Sequence, residues 1–426
     1  MAGLLVVVAS VALAVRPVSH DSLPATRPLA PGEGIPATIH DVQPWLPSLG
    51  ATTAPPVAYV YVLPYGIRPI ALSVDGSYRY LPAAPDPYTD GEMTSFAVSP
   101  DGLHLAVAWS GSAGSEQTPA HAVVYAYDLT TGDRRGPWLG QGLASQITGL
   151  AWRWDGSGLA WEEFRADEPD GSAGTARVVV LDWSAGTRKD LESYIGPVAW
   201  APDGRSLVAQ RAEVGAGFQT LEIVPIAGGD PTRLPESMPG PVAWSPDGRW
   251  LAGVGPCESQ NEWAGGASAC VTGGTARVVL VDVGTGATTE RALSGVGPDA
   301  TVLGWHDGQP VVGGGTAQPS PEDWSGAYAV RTVVASGPGA ALTGSPDPRI
   351  VNGLMAAQQV LATAPVVDLP PPAQPRFGPL WWSWEWHRRP AFVVLLLLAL
   401  GVVAFLGVRL GRLVGRRRVS PRPRRL

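Results

Sequence analysis

The chain has 426 residues, 53 glycines and 43 prolines, two cysteines and a formal net charge of −7. That glycine and proline content suits a turn-rich all-β protein of a size able to bury a large core. Eight arginines and no acids fall in the last eighteen residues, Arg409 to Leu426, so removing them leaves −15 for residues 1–408. So acidic a body excludes nucleic acid as a partner, because that binding is dominated by basic contacts to phosphate.

In chain order, "MAGLLVVVASVALAV" opens with an apolar core of signal-peptide length, and Ala12-Leu13-Ala14 resembles a small-residue cleavage site. The usual positive charge before that core is missing. We therefore expect residues 1–15 to be either a signal peptide or the end of an anchor helix whose basic flank precedes Met1. No cysteine ends the apolar run, which argues against a lipid anchor. Segment 28–48 is expected to supply an edge strand that closes the fold, since closure removes exposed sheet edges.

Val57 to Pro82 reads as strands with an outer turn at Asp75-Gly76. A hairpin then recurs: "FAVSPDGLHLAVAW" (96–109), "LAWRWDGSGLAW" (150–161), "VAWAPDGRSLVA" (198–209), "VAWSPDGRWLAG" (242–253) and a decayed "VLGWHDGQPVVG" (302–313). In the Pro-Asp-Gly copies proline presets φ, aspartate bonds its own backbone and glycine accepts positive φ. Two apolar runs joined this closely must pair antiparallel. The turn aspartates are Asp101, Asp155, Asp203, Asp247 and Asp307; Trp152, Trp200, Trp244 and Trp305 stand before the last four turns. After each of the first four hairpins comes an apolar strand, a Gly-bearing turn and a polar strand, as in "RVVLVDVGTGATTERAL" (277–293). The unit is four antiparallel strands repeating at about 50 residues, the mark of a propeller. Blades are expected at 57–82, 94–139, 147–192, 196–236, 240–294 and 300–343. Six is the count; a seventh would need a hairpin in 344–363, which instead reads as a short helix or closing segment.

These hairpins, each followed by an apolar strand and Asp-x-x-[Thr/Ala]-Gly, resemble the WD40-like (PD40-type) repeat of TolB-type propellers over roughly residues 57–343. The resemblance implies a six-bladed wheel, expected over 28–343, that binds other molecules with its faces or channel. Trp and Asp of the repeat are then scaffold, and no binding residue transfers.

Cys257 and Cys270 bracket a loop of the fifth blade and read most simply as a disulfide of an exported domain; two free thiols or a metal pair are the alternatives. No serine-hydrolase elbow and no His-Glu-x-x-His occurs, and the six histidines are scattered. His104 lies on a hairpin strand as a structural residue, while His40 and His121 could meet only through the fold. Acidic stretches 86–92 and 165–174 lack the spaced oxygen frame of a calcium loop and read as solvated turns, with calcium the alternative. No cofactor is expected.

"APVVDLPPPAQPRFGP" (364–379) reads as a semi-rigid polyproline spacer. An aromatic belt follows at 380–390, carrying Trp381, Trp382, Trp384 and Trp386. Residues 391–408 hold eighteen residues without charge, the length of a transmembrane helix. Arginines of the 409–426 tail outnumber Arg388 and Arg389 ahead of that stretch, placing the tail in the cytoplasm and the wheel outside. The expected function is a membrane-tethered, non-catalytic binding or sensing scaffold at the cell envelope, with an envelope protein or polymer as partner and the bilayer held through 391–408. The alternative is a hydrolase or lyase with its site in the central channel.

Overall fold

A computed structural model describes residues 28–40, 46, 55–62, 69–81, 92–110, 122–139, 144–165, 175–183, 185–211, 220–235, 238, 241–255, 277–292, 300–315, 328–334, 337–345 and 352–372. Two compact units divide the chain, one of residues 1–41 and 47–371, the other of 42–46 and 372–426. Of the second, only Leu46 and Pro372 are among the described residues.

The first unit is a six-bladed propeller of four-stranded antiparallel sheets. Five blades are contiguous in sequence. Blade 2 contains β5 (Glu92–Val98), β6 (His104–Ser110), β7 (Ala122–Asp128) and β8 (Arg134–Leu139). Blade 3 contains β9 (Ala144–Trp152), β10 (Gly158–Arg165), β11 (Thr175–Asp182) and β12 (Thr187–Leu191), and blade 4 contains β13 (Tyr194–Trp200), β14 (Ser206–Arg211), β15 (Leu221–Pro225) and β16 (Thr232–Arg233). In blade 5 they are β17 (Val242–Trp244), β18 (Trp250–Val254), β19 (Arg277–Asp282) and β20 (Thr288–Ala292). Blade 6 follows with β21 (Thr301–His306), β22 (Gln309–Gly315), β23 (Tyr328–Val334) and β24 (Gly337–Ser345).

Blade 1 is composite. Its strands β2 (Val57–Val62), β3 (Pro69–Ser73) and β4 (Tyr78–Tyr80) are joined on the inner side by β25 (Asn352–Ala356), in the order β25-β2-β3-β4. The register is antiparallel, Tyr59 opposite Ala356 and Val60 opposite Met355. Ring closure therefore comes from the C-terminal side, which corrects the expectation that segment 28–48 supplies the closing strand. Among its described residues that segment forms β1 (Ile35–Pro36), paired in parallel with β26 (Val366–Val367), and a single bridge from Thr38 to Gly344. A two-residue strand ending in proline has no amide to donate there and cannot complete a blade ladder. Segment 344–363 contains both a strand and a helix, α1 (Gln358–Thr363). Its strand lacks a hairpin partner in sequence, and it pairs with residues almost 300 positions earlier. The spacer expected at 364–379 also begins within the wheel, since Val366–Val367 are strand.

The inner strands neighbour one another around the ring: β25 with β5, then β9, β13, β17, β21 and back to β25. Apolar side chains weld adjacent sheets. Trp152 packs with Ala97, Ala106 and Val124 of blade 2 and Leu159 and Trp161 of its own. Trp200 does the same between blades 3 and 4, Trp244 between 4 and 5, and Trp305 between 5 and 6. Each repeat indole is thus the wedge that its blade drives against the preceding one.

Among the described residues no helix is long and apolar enough to cross a membrane. Residues 391–408, like 1–15, lie outside them, as do Cys257, Cys270, His121 and most of the two acidic stretches.

Candidate functional site

Each of blades 2 to 6 begins at the axis, turns back at the Asp-Gly hairpin, and turns again between its third and fourth strands. Both turns fall on the same end of the wheel, here named the turn face. The hairpin turns are fastened by their aspartates. Asp101 accepts the Leu103 amide at 3.0 Å, Asp155 the Ser157 amide, Asp203 the Arg205 amide and Asp247 the Arg249 amide at 3.1 Å. Ser99 and Ser245 add hydroxyl bonds to Asp101 and Asp247. The Ser245 bond, with the Arg249 amide, holds the Asp247 carboxyl below its usual range. In the decayed sixth copy Asp307 itself takes positive φ, 47°. Its carboxylate stands 3.5 Å from His306.

Two of the four wedge indoles also tie blade to blade. Trp152 Nε1 donates to the Ala97 carbonyl at 2.8 Å, and Trp305 Nε1 to the Ala243 carbonyl at 3.1 Å. The buried Nε1 atoms of Trp200 and Trp244 have no such acceptor. At the blade 3–4 seam the neighbouring Trp154 supplies the tie instead, donating to the Trp200 carbonyl at 3.1 Å.

The centre of the turn face is occupied by α1. Three contacts fix its place. The Gln359 amide donates to the Pro100 carbonyl of blade 2 at 2.8 Å, and the Gln359 side-chain amide donates to the Trp154 carbonyl of blade 3 at 2.9 Å. On the opposite side, His306 Nδ1 of blade 6 lies 2.7 Å from the Leu361 carbonyl. A carbonyl only accepts, so Nδ1 carries the proton. Just before the helix, the Ala357 amide bonds the Ala58 carbonyl of blade 1. Blades 3 and 6 face each other across a six-membered ring, and a helix of six residues is about 9 Å long. An element that touches both must cross the axis, so α1 caps the mouth of the channel at the turn face.

Its seat is shaped for it. Val360 and Leu361 are buried. Gly304, at φ +153°, clears the space for Leu361: a Cβ there would lie 3.1 Å from Leu361 Cδ2. The helix itself is weak. Its N-cap position, Ala357, makes no side-chain cap, with no acid in the first turn and no base in the last. Helices this short do not persist in water without packing, so the seat makes α1 helical.

From α1 the chain runs back over the seam between blades 6 and 1. Here β26 holds β1, the Ile39 amide donates to the Gly344 carbonyl, and the Gly34 amide to Val74. Beneath them Tyr59 Oη lies 2.9 Å from Thr343 Oγ1, which donates to the Pro36 carbonyl at 2.7 Å. Burial pushes the Tyr59 phenol well above its usual range, against the Thr343 bond. Tyr78, whose hydroxyl accepts the His40 amide at 2.8 Å, is pushed up to about 12, chiefly by burial.

His40 thus belongs to the blade 6–1 seam. His104 stacks on Trp152 at 5.7 Å, within a cluster that includes Trp183 and Trp138. Arg135 covers Trp183 at 5.1 Å. Among the described residues no group of three or more His, Cys, Asp or Glu is placed to hold a metal. The element that sequence reasoning missed is α1's seat. Gln359 meets Pro100 and Trp154 across more than 200 residues, and only the helical look of segment 344–363 pointed towards it.

No family model and no curated relative matches the chain. The chain is similar to several solved structures at low identity. TolB from Acinetobacter baumannii is 17% identical with a TM-score of 0.45, covering 73% of this chain and 67% of that one. The propeller domain of the Trilobed protease from Pyrococcus furiosus is 12% identical with a TM-score of 0.37, covering 58% and 71%. An oligogalacturonate lyase in complex with manganese is 13% identical with a TM-score of 0.36, covering 54% and 63%. The six-blade count rests on this chain's own strand order.

Proposed function

We propose that the protein is a membrane-tethered, extracytoplasmic binding or sensing scaffold that works without catalysis. The observation that carries this reading is the cap at the axial mouth. On the turn face, where a channel site would open, the wheel presents a helix held by the Pro100 and Trp154 carbonyls and the His306 ring. A mouth lined by backbone acceptors is suited to recognising a chain segment. The tether is the uncharged stretch 391–408, with the tryptophan belt ahead of it and the arginine tail behind. In this reading the partner is an envelope protein or polymer, and the bilayer is held through 391–408.

The test is affinity capture of the tagged full-length chain from detergent-solubilised native membranes, with metal analysis of the purified protein. A reproducible envelope partner without stoichiometric metal supports the scaffold. A tightly held metal without a partner overturns it in favour of channel chemistry. Fractionation of the same cells tests the tether: recovery of the chain in the carbonate-resistant membrane pellet is expected, and release into the soluble fraction would refute it.

A further inference from the structure

We propose that the turn-face mouth is a docking site for a short apolar helix, and that α1 occupies it in cis as a resident competitor. Four observations carry this. The seat reaches four blades, so the folded ring forms it. It reads its occupant through backbone groups: the Pro100 and Trp154 carbonyls take the two Gln359 donors, and His306 Nδ1–H meets the Leu361 carbonyl. It holds a defined apolar pair, Val360 and Leu361, the second against the space left at Gly304. Its occupant has no side-chain N-cap and, at six residues, is too short to persist as a helix without packing.

A seat that specifies backbone geometry, one glutamine and a Val-Leu pair will accept another segment presenting those groups. The partner's chemistry follows: an extended or nascent helical segment with Gln-Val-Leu or a close equivalent, free of charge on that face. Binding in trans requires α1 to leave. Apparent affinity for the wild-type wheel is therefore weakened by the small fraction of molecules in which the seat is empty. Strand β25 ends at Ala356, one residue before the helix region begins at Ala357, so α1 can leave while β25 still closes blade 1. The inference rests on the reading of the wheel as a binding scaffold and names the class of segment that its turn face takes.

The probe is a fluorescent synthetic peptide of the native sequence Ala357 to Val367, read by anisotropy against the full-length protein. Leu361→Asp empties the seat by placing a charge in an apolar site. Val360→Asp does so at the neighbouring buried position and leaves the space at Gly304 free for the leucine of the probe. Binding at least about 100-fold tighter to either variant than to wild type is expected, because the competing helix has gone. A peptide with Gln359 and Leu361 replaced by alanine should not bind.

Equal binding to wild type and variants would place the peptide elsewhere and overturn the proposal. So would absence of binding to a variant whose thermal transition and far-ultraviolet spectrum show an intact wheel. If neither variant folds, α1 is an inseparable part of ring closure and the proposal falls. None of these failures touches the capture experiment above, which reads any partner of the wheel.

Discussion

Blades 1 and 3 solve the same packing problem in opposite ways. Blade 3 is contiguous, and its outer strands carry a buried charge network. Glu163, fully buried, takes Arg177 Nη2 at 2.9 Å and Arg188 Nη2 at 2.7 Å. Arg177 Nη1 in turn reaches Asp190 at 2.8 Å and Glu192 at 3.1 Å. Every partner lies within thirty residues of the next. Blade 1 is assembled from the two ends of the wheel, and its seam with blade 6 is held by neutral groups: Tyr59, Thr343, the Pro36 carbonyl and the β1–β26 pair. Local sequence can specify the first arrangement alone, whereas the second exists only once the whole ring does. Blade 1 should therefore report global closure, and blade 3 its own local integrity.

The comparison breaks most visibly if the chain is cut. Ending it before Asn352 leaves the β2 edge bare and should abolish the cooperative thermal transition; a transition kept within a few degrees would mean that five blades suffice. Next in size is Glu163→Ala, which leaves two arginines without their buried carboxylate and should cost about 3–5 kcal/mol in denaturant unfolding. A loss below about 1 kcal/mol, the level of an exposed ion pair, would show that water reaches the network.

Smaller effects sharpen the contrast. Replacing Trp152 by phenylalanine removes the bond to Ala97, whereas Trp244→Phe removes an indole whose nitrogen has no acceptor. The first should cost about 1 kcal/mol more than the second, the net worth of one hydrogen bond. Equal losses would make the wedge purely a matter of packing.

The blade 6–1 seam and the hairpin turns also differ in how pH should act on them. Tyr59 and Tyr78 have phenols raised by burial at the blade 6–1 seam. A raised folded pKa means stability fully present below the unfolded value near 10, and lost as pH climbs through the folded value. Alkaline unfolding should thus start at this seam, and Tyr59→Phe should shift its midpoint upward. The opposite limb belongs to the hairpins. Asp247 is depressed first by the Ser245 hydroxyl, so its contribution is present above the unfolded carboxylate pKa and lost as pH falls through the folded one. Asp247→Asn should slightly flatten the stability loss as pH falls below the ordinary carboxylate range. This is the smallest effect, because the group is largely exposed.

Sequence alone carried the repeat because hairpin chemistry is local. Pro246, Asp247 and Gly248 define a turn within three positions, and Trp244 marks the strand ahead of it. Such signals sufficed for blades 2 to 6. They failed at blade 1, where "NGLMA" at 352–356 has no turn and no β-branched run. What makes it a strand is the unpaired ladder of β2, a property of the closed ring. The same limit hid the site: Gln359 and Leu361 are unremarkable residues until Pro100, Trp154 and His306 are gathered around them. The expectation that 28–48 would close the ring erred because its described residues pair with Val366, Val367 and Gly344, while β25 takes the place beside β2.

One consequence of the β25–β2 pairing concerns the order in which the protein is made. Strand β2 leaves the ribosome almost 300 residues before its partner exists, and the loop joining them can close only after five blades have stacked. Throughout that interval the β2 backbone is an open edge, able to pair with any other nascent strand. A chain built this way should depend on an escort until Ala356 has been made, and a premature stop before that point would yield an aggregating wheel and not merely a shorter one.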